Sequence, residues 1–426
     1  MNPARTAPGL NALETREPAA REAALMQALP AQVRAAQAVP AFAHSLADVR
    51  ADAVVSRAAL ARLPVIRKHE LLDEQQAARA AGGDPFGGFS AIGWRRLGTA
   101  RTATRVYQSP GPIYEPQGSG SDPWRCARAM FAAGFRAGDL VHNSFSYHLT
   151  PGAWMMDSGA QGLGCTVFPG GVGNTELQLQ AMADLSPEAY AGTPSFLRIL
   201  LEKAADNGQA LPYLKKALVS GEAFPPSLRD WLAERGVAAY QTYATADVGV
   251  IAFETTAREG LVVDEGAIVE IVRPGTGDPV PDGEVGEVVV TVLDPDYPMV
   301  RFGTGDLSAV LPGACPTGRT NTRIRGWLGR ADQTAKVRGM FVHPGQIAEV
   351  LKRHPQIARA RLVVEGEMAN DRMTLRVETA TATEGLAEAV ARSLREMTKL
   401  RGEVALLPAG TLPNDGKIID DQRRYD

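Results

Sequence analysis

From about residue 120 to 260 the chain alternates helical and extended patterns, and this alternation constrains the fold more than any other feature. Asp122-Pro123 is expected to place an N-cap and a proline at the first helical position, opening a helix through Ala133. Gly134 to Asp139 then turns the chain into a Leu140-Val141 strand. Cys165-Thr166-Val167-Phe168 reads as a buried strand, and Thr175 with Gln178 as a capping box for the next helix. Ala, Leu and Val periodicity continues through Leu232. Strands that alternate with helices bury both faces, so a layered α/β sheet is expected.

The flanks differ. Residues 1 to about 62 are Ala-rich and read as helices, with Leu46, Val49, Val54, Val55 and Leu60 near helical spacing, until Leu63-Pro64 ends the run. Residues 82–93 form a loop on their Gly and Pro content. Beyond 262 the pattern becomes extended, with strands at Ala267 to Val272 and Glu287 to Leu293. The last hundred residues read as a small α+β unit. A helix opens at Pro344 and carries Ile347, Val350 and Leu351. Strands follow at Leu362 to Val364 and around Met373, Leu375 and Val377. A helix with Leu386, Val390, Leu394 and Met397 on one face precedes a strand at Val404 to Leu407. At 426 residues the chain is too long for one ordinary core. The expected fold class is α/β: a large layered N-terminal domain over 1–330 and a small, mobile α+β domain over 331–426. The boundary lies in the polar stretch from Gly329 to Gly339.

Charge and cysteine usage exclude several classes. Lys plus Arg (45) nearly balances Asp plus Glu (48), so neither nucleic acid nor an anionic membrane is an expected partner. Cys126, Cys165 and Cys315 lie far apart, which signals neither a zinc knuckle nor a disulfide framework. No apolar run approaches the roughly 20 residues that span a bilayer. The N-terminus, with Arg5, Glu14, Arg16 and Glu17, lacks the apolar stretch of a secretory signal. A cytoplasmic protein with reduced thiols is expected. No G-x-x-x-x-G-K-[ST] phosphate loop occurs, and Gly171-Val-Gly173-Asn-Thr-Glu176 lacks the third glycine of a dinucleotide fingerprint.

Three ordered stretches carry the chemistry: Tyr243-Ala-Thr-Ala-Asp247-Val-Gly249, Val300-Arg-Phe-Gly-Thr304-Gly305-Asp306-Leu307, and Gly329-Arg330-Ala-Asp332-Gln-Thr-Ala-Lys336-Val-Arg338-Gly339. Lys417 follows in a Gly-Lys near the C-terminus. Gly138 to Asn143, Pro169 to Glu176, Gly192-Thr-Pro-Ser195 and Ser220-Gly-Glu-Ala223 add to the set. In order and spacing, from about Leu63 to Asp420, this resembles the adenylate-forming superfamily, specifically phenylacetate–CoA ligases. Such enzymes make an acyl-AMP anhydride from a carboxylic acid and ATP, and a thiol then displaces AMP. The resemblance implies ATP, Mg2+ and coenzyme A as cofactors and a small-molecule carboxylic acid, aryl or arylacetic, as substrate. It leaves a homodimer open.

By the same resemblance the nucleotide lies against Ser109, Gly111, Ser220, Gly221, Glu222, Tyr243, Ala244, Thr245, Asp306, Arg330 and Lys336. Asp306 matches the ribose-binding aspartate, since a carboxylate accepts both hydroxyls of a diol. Asp247 stands where relatives carry a metal-holding Glu; its oxygens suit Mg2+ on a shorter arm. Lys417 matches the lysine that neutralises charge as the acid meets the α-phosphate. Asp332 matches the hinge about which the small domain rotates. The acyl pocket is expected from Asn143 to Trp154 and Tyr240 to Thr245. For His148 two readings stay open, a lining of the acyl or thiol pocket and, favoured, a satisfied packing role.

One departure stands out. Relatives bind the ATP phosphates with a Ser/Thr/Gly-rich loop, where this chain reads Ser109-Pro-Gly-Pro-Ile-Tyr-Glu-Pro116. Pro110 and Pro112 have no N–H to donate, and Glu115 adds negative charge toward a triphosphate. Three readings stay open: an AMP-forming acyl–CoA ligase, an adenylating enzyme that uses a carrier-protein thiol, and a nucleotide or CoA-binding module without ATP chemistry. Lys417, Asp306 and Arg330 together favour an enzyme.

Overall fold

In the computed structural model the described residues are 9–328, 330–331, 335–338, 340–342, 344–366, 371–380, 383–413 and 417–423. The chain divides into two compact units, Met1–Gly329 and Arg330–Asp426.

A nine-stranded sheet organises the first unit. Its order is Val310–Leu311, Arg323–Ile324, Leu261–Val263, Gly249–Glu254, Ala238–Thr245, Lys216–Val219, Ala189–Gly192, Leu140–Asn143 and Thr166–Pro169. The last five strands pair in parallel. Helices Gly152–Gly162, Thr175–Leu185, Pro194–Asp206 and Pro226–Glu234 connect them, as parallel crossovers require. Ala189–Gly192 is buried at every position, the signature of a strand covered on both faces. Met130, Phe135, Val141, Leu218 and Phe253 join one core cluster on this sheet.

A second sheet holds Ile66–Arg67, Phe302–Ser308, Gly286–Val292 and Ala267–Val272 in that order. Its apolar face shares a core with the N-terminal helices, through Leu29, Val33, Phe42, Leu60, Ile268, Val290 and Phe302. Buried Arg301 ties the two together: Nε donates to Glu270 at 3.0 Å, and the other nitrogens donate to the carbonyls of Ala61, Leu63 and Gly277 at 2.6–2.8 Å.

The second unit is a four-stranded sheet, Glu403–Leu407, Arg372–Thr379, Ile357–Glu365 and Ile419–Asp421, with helices Pro344–Arg353 and Leu386–Thr398. Val350, Leu375, Val377, Val390 and Leu394 form its core.

Local expectations fail in four places. The first sheet helix begins at Cys126, not at Pro123; the Asp122 carboxylate still caps it, accepting from Cys126 and Ala127 N–H at 2.9 and 2.8 Å. Thr175 and Gln178 form no capping box: the Gln178 amide donates instead to the Gly171 and Gly173 carbonyls, and its oxygen meets His142. Thr166–Pro169 is a partly exposed edge strand, where a proline costs no ladder bond. Residues 46–60 hold only single turns at Ala51–Ala53 and Arg57–Leu60, so Val55 lies exposed.

Candidate active site

The parallel strands point their carboxyl ends one way, and in open α/β sheets ligands gather at that edge. Ser220, Gly221 and Glu222 follow the Lys216–Val219 strand there, and Tyr243, Ala244 and Thr245 end the Ala238–Thr245 strand. Ser220 Oγ donates to the Thr242 carbonyl at 2.7 Å, tying the two strand ends together. The Glu222 carboxylate accepts the Ser195 N–H at 2.7 Å, in the first turn of helix Pro194–Asp206, where negative charge suits the helix dipole. Thr245 Oγ accepts the Val248 N–H at 3.3 Å. Gly249, at φ 70°, brings its Cα against Trp124, whose carbonyl would lie 2.9 Å from any Cβ.

The second sheet brings Asp306 to the same place. The Tyr243 hydroxyl lies 2.8 Å from Asp306 Oδ2, to which it donates, and 3.1 Å from Thr304 Oγ. Trp327 Nε1 donates to Asp306 Oδ1 at 3.1 Å. A carboxylate oxygen accepts more than one hydrogen bond, and two adjacent oxygens suit a vicinal diol. Trp327 is a member of this group that sequence reasoning missed.

Asp247 is fully buried at its side chain. Its Oδ2 pairs with Lys68 Nζ at 2.7 Å, across 179 residues of chain. Its Oδ1 is buried without a hydrogen-bond partner. Lys68 was also missed. Its signal is local: it opens helix Lys68–Ala80, where the dipole disfavours a cation. Among the described residues no group of three or more His, Cys, Asp or Glu could hold a metal. Asp247 Oδ1 alone fits the Mg2+ pattern of one protein carboxylate completed by phosphate and water oxygens. A cavity of about 20 Å³, roughly one water in size, is lined by Asp247, Pro116, Asp294 and Tyr297.

The segment expected to cradle phosphates is a β-hairpin. Arg105–Ser109 pairs with Ile113–Gln117, and Pro110, Gly111 and Pro112 form its exposed turn. Gln75 clamps it to helix Lys68–Ala80, accepting from the Tyr114 N–H at 2.8 Å and donating to the Tyr114 carbonyl at 2.9 Å. Gln108 N–H donates to the Leu149 carbonyl at 2.8 Å, and the Arg105 guanidinium lies 4.2 Å over Trp154. Ser109 Oγ is bonded to Glu115, so this hydroxyl is engaged within the hairpin. Glu115 corrects the expectation of an added negative charge. It is buried and pushed up to about 8, chiefly by burial and then by the Asp247 charge, against the pull of Lys68 and Ser109. At neutral pH it is mostly a neutral acid.

The expected acyl region begins at the buried end of strand Leu140–Asn143. Asn143 Nδ2 lies 2.9–3.0 Å from Tyr147 Oη, the Ala153 carbonyl and Asp157 Oδ1. The Tyr147 hydroxyl donates to Asp157 at 2.7 Å, and its ring meets Trp154 edge-on at 5.4 Å. His148 is exposed, contrary to a packing role. The packed histidine is His142, bonded to Gln178 at 2.7 Å and stacked on Phe168; burial holds it below the usual imidazole range.

In the second unit Lys417 precedes strand Ile419–Asp421. Its Nζ lies 3.6 Å from Asp420, its carbonyl accepts from Arg361 Nε at 3.1 Å, and about half its side chain is exposed. Arg330 opens this unit and is half-buried. Lys336 lies on strand Ala335–Val337. Asp332, Gly339 and Asn414 to Gly416 lie outside the described residues.

Comparison with known proteins assigns this arrangement to a family. Residues 144–292 match the AMP-binding enzyme family, and 339–423 match the AMP-binding enzyme C-terminal domain. Phenylacetate–coenzyme A ligase of Aromatoleum evansii is 32% identical over 346 residues, covering 78% of this chain and 74% of the relative. The Thermus thermophilus ligase of that name is 29% identical over 397 residues, covering 84% and 86%. A crystal structure of a 2-hydroxyisobutyryl-CoA ligase, in complex with 2-HIB-AMP and CoA in the thioesterification state, superposes with a TM-score of 0.81. It is 25% identical, with 97% of this chain and 92% of that one covered. With this fold, the paired Tyr243 and Asp306, and a 32% identical relative matched over most of both chains, the chain belongs to the AMP-binding, adenylate-forming enzymes, in the phenylacetate–coenzyme A ligase family.

Proposed function

We propose that this protein is an AMP-forming acid–thiol ligase that activates a small carboxylic acid with ATP and transfers the acyl group to coenzyme A. The observation that carries this reading is the Asp306 carboxylate, held by the Tyr243 hydroxyl and the Trp327 indole beside the strand end at Tyr243 to Thr245. In the first step a carboxylate oxygen attacks the α-phosphorus and the bond to pyrophosphate breaks. In the second the thiol sulfur attacks the acyl carbon and AMP departs with the bonding pair.

Asp306 takes the ribose diol in this reading. Ser220 to Glu222 and Tyr243 to Thr245 line the nucleotide, with Arg330 and Lys336 contributing from the second unit. Asp247 Oδ1 would hold Mg2+, which offsets charge on the phosphates. Lys417 neutralises the carboxylate and α-phosphate as they meet, in one orientation of a small domain that turns about Asp332. Ser109 is engaged by Glu115 and the hairpin turn offers only the Gly111 N–H, so phosphate binding leans on these other groups. Phe145, Tyr147 and Trp154 support an aryl or arylacetic acid. Three free, buried cysteines accord with a reducing cytoplasm. A homodimer is the assembly that the family resemblance favours.

The test is acid-dependent pyrophosphate release over a panel of carboxylates, with and without coenzyme A. Release that accompanies acyl-CoA formation is expected. Nucleotide binding without release on any acid would overturn the reading.

A further inference from the structure

The backbone that carries Lys417 is gripped from one face of the second unit's sheet. Arg359 stands opposite Glu378 on the paired strands Ile357–Glu365 and Arg372–Thr379, and Arg361, two residues on, shares that face. Glu378 Oε1 accepts the Leu412 N–H at 2.5 Å. The Arg359 guanidinium donates to the Leu412 and Pro413 carbonyls at 3.1 and 2.8 Å. Arg361 reaches both ends of the stretch from Pro413 to Lys417: Nη2 donates to the Pro413 carbonyl at 3.1 Å, and Nε to the Lys417 carbonyl at 3.1 Å. Just beyond, Leu362 N–H donates to the Ile418 carbonyl at 2.8 Å, where the chain joins strand Ile419–Asp421.

A guanidinium presents its donors as a rigid planar fork. Two carbonyls on one fork fix the separation of the two ends of this stretch. Arg361 is only 6% exposed, so it grips the chain from beneath. The Lys417 side chain is 55% exposed and rides on a flexible four-carbon stem. Where its ammonium reaches therefore depends on the backbone from which it starts. We propose that Arg361 is a positioning residue for acyl-adenylate formation. By tying Pro413 to Lys417 it sets the point from which the lysine meets the carboxylate and α-phosphate. The proposal rests on the reading of Lys417 as the lysine of that step.

The test uses the full chain and the acid of the panel that releases pyrophosphate fastest. It measures two half-reactions apart: single-turnover pyrophosphate release, and thiolysis of that acid's acyl-AMP by coenzyme A. Arg361→Met lowers the rate of adenylate formation roughly ten- to 100-fold, the loss that a misplacement of about 1 Å brings. The KM for ATP and the rate of thiolysis stay within about twofold. Arg361→Lys keeps the charge without the fork and regains less than about threefold of the loss. A merely structural role would slow both half-reactions alike, and a role for the charge alone would be fully rescued by lysine. Either result, or no change, overturns the proposal. If Arg361→Met does not fold, Arg361→Lys carries the same test, with selective loss of adenylate formation expected and equal loss or full activity against it. Lys417→Ala separates the two layers. If it leaves adenylate formation intact, or if no acid releases pyrophosphate, the underlying reading fails and takes this proposal with it. If it lowers adenylate formation while Arg361→Met does not, only the role of Arg361 fails.

Discussion

Glu115 makes the first unit sensitive to pH in a direction opposite to most carboxylates. Its side chain is buried on strand Ile113–Gln117, and Oε2 has no partner. Burial and the Asp247 charge push it from the ordinary 4.5 up to about 8. Between these values the folded chain holds a proton that the unfolded chain has released. Stability is therefore full below about 4.5, falls as pH rises, and levels off above about 8. The slope is at most about 1.4 kcal/mol per pH unit, so the whole window is worth on the order of 4–5 kcal/mol. Glu115→Gln replaces the neutral acid by a neutral amide that never ionises. The variant should match the parent near pH 5 and exceed it by several kcal/mol near pH 8. Urea unfolding of both proteins at several pH values between these reads the difference, because every other titrating group cancels in it. Parallel stability curves across the range would show that Glu115 titrates like a solvated carboxyl, and the reasoning would fail.

Two further outcomes follow from the geometry. Lys417→Ala should lower acyl-adenylate formation by roughly 100- to 1,000-fold while leaving thiolysis of supplied acyl-AMP largely intact; equal loss of both half-reactions counts against the assigned role. Arg301→Met should cost about 3–5 kcal/mol in urea unfolding, because it strands the buried Glu270 carboxylate and three carbonyls. A loss below about 1 kcal/mol would mean that the site relaxes or fills with water.

Much of the fold was legible because its signals are local. Apolar runs between Gly and Pro punctuation marked two of the five parallel strands, Leu140–Asn143 and Thr166–Pro169, and 3.6-residue periodicity marked helices Pro344–Arg353 and Leu386–Thr398. Where a side chain had a stronger distant partner, the local rule failed. Gln178 left its capping box for His142 and two glycine carbonyls, since a buried imidazole needs a partner more than an exposed helix end does. Strand Ile419–Asp421 went unnoticed because three residues carry no period.

The candidate site divides in the same way. The sequence by itself determined the family, the ordered motifs, and the loss of phosphate-binding N–H groups at Pro110 and Pro112, because proline chemistry is independent of context. Only tertiary structure decided what stands in their place. It folds the segment into a hairpin, neutralises Glu115 by burying it, and brings Lys68 to Asp247 from 179 residues away. It also sets the Trp327 indole on Asp306. Burial and through-space charge depend on which residues the sheets bring together, and sequence spacing carries neither.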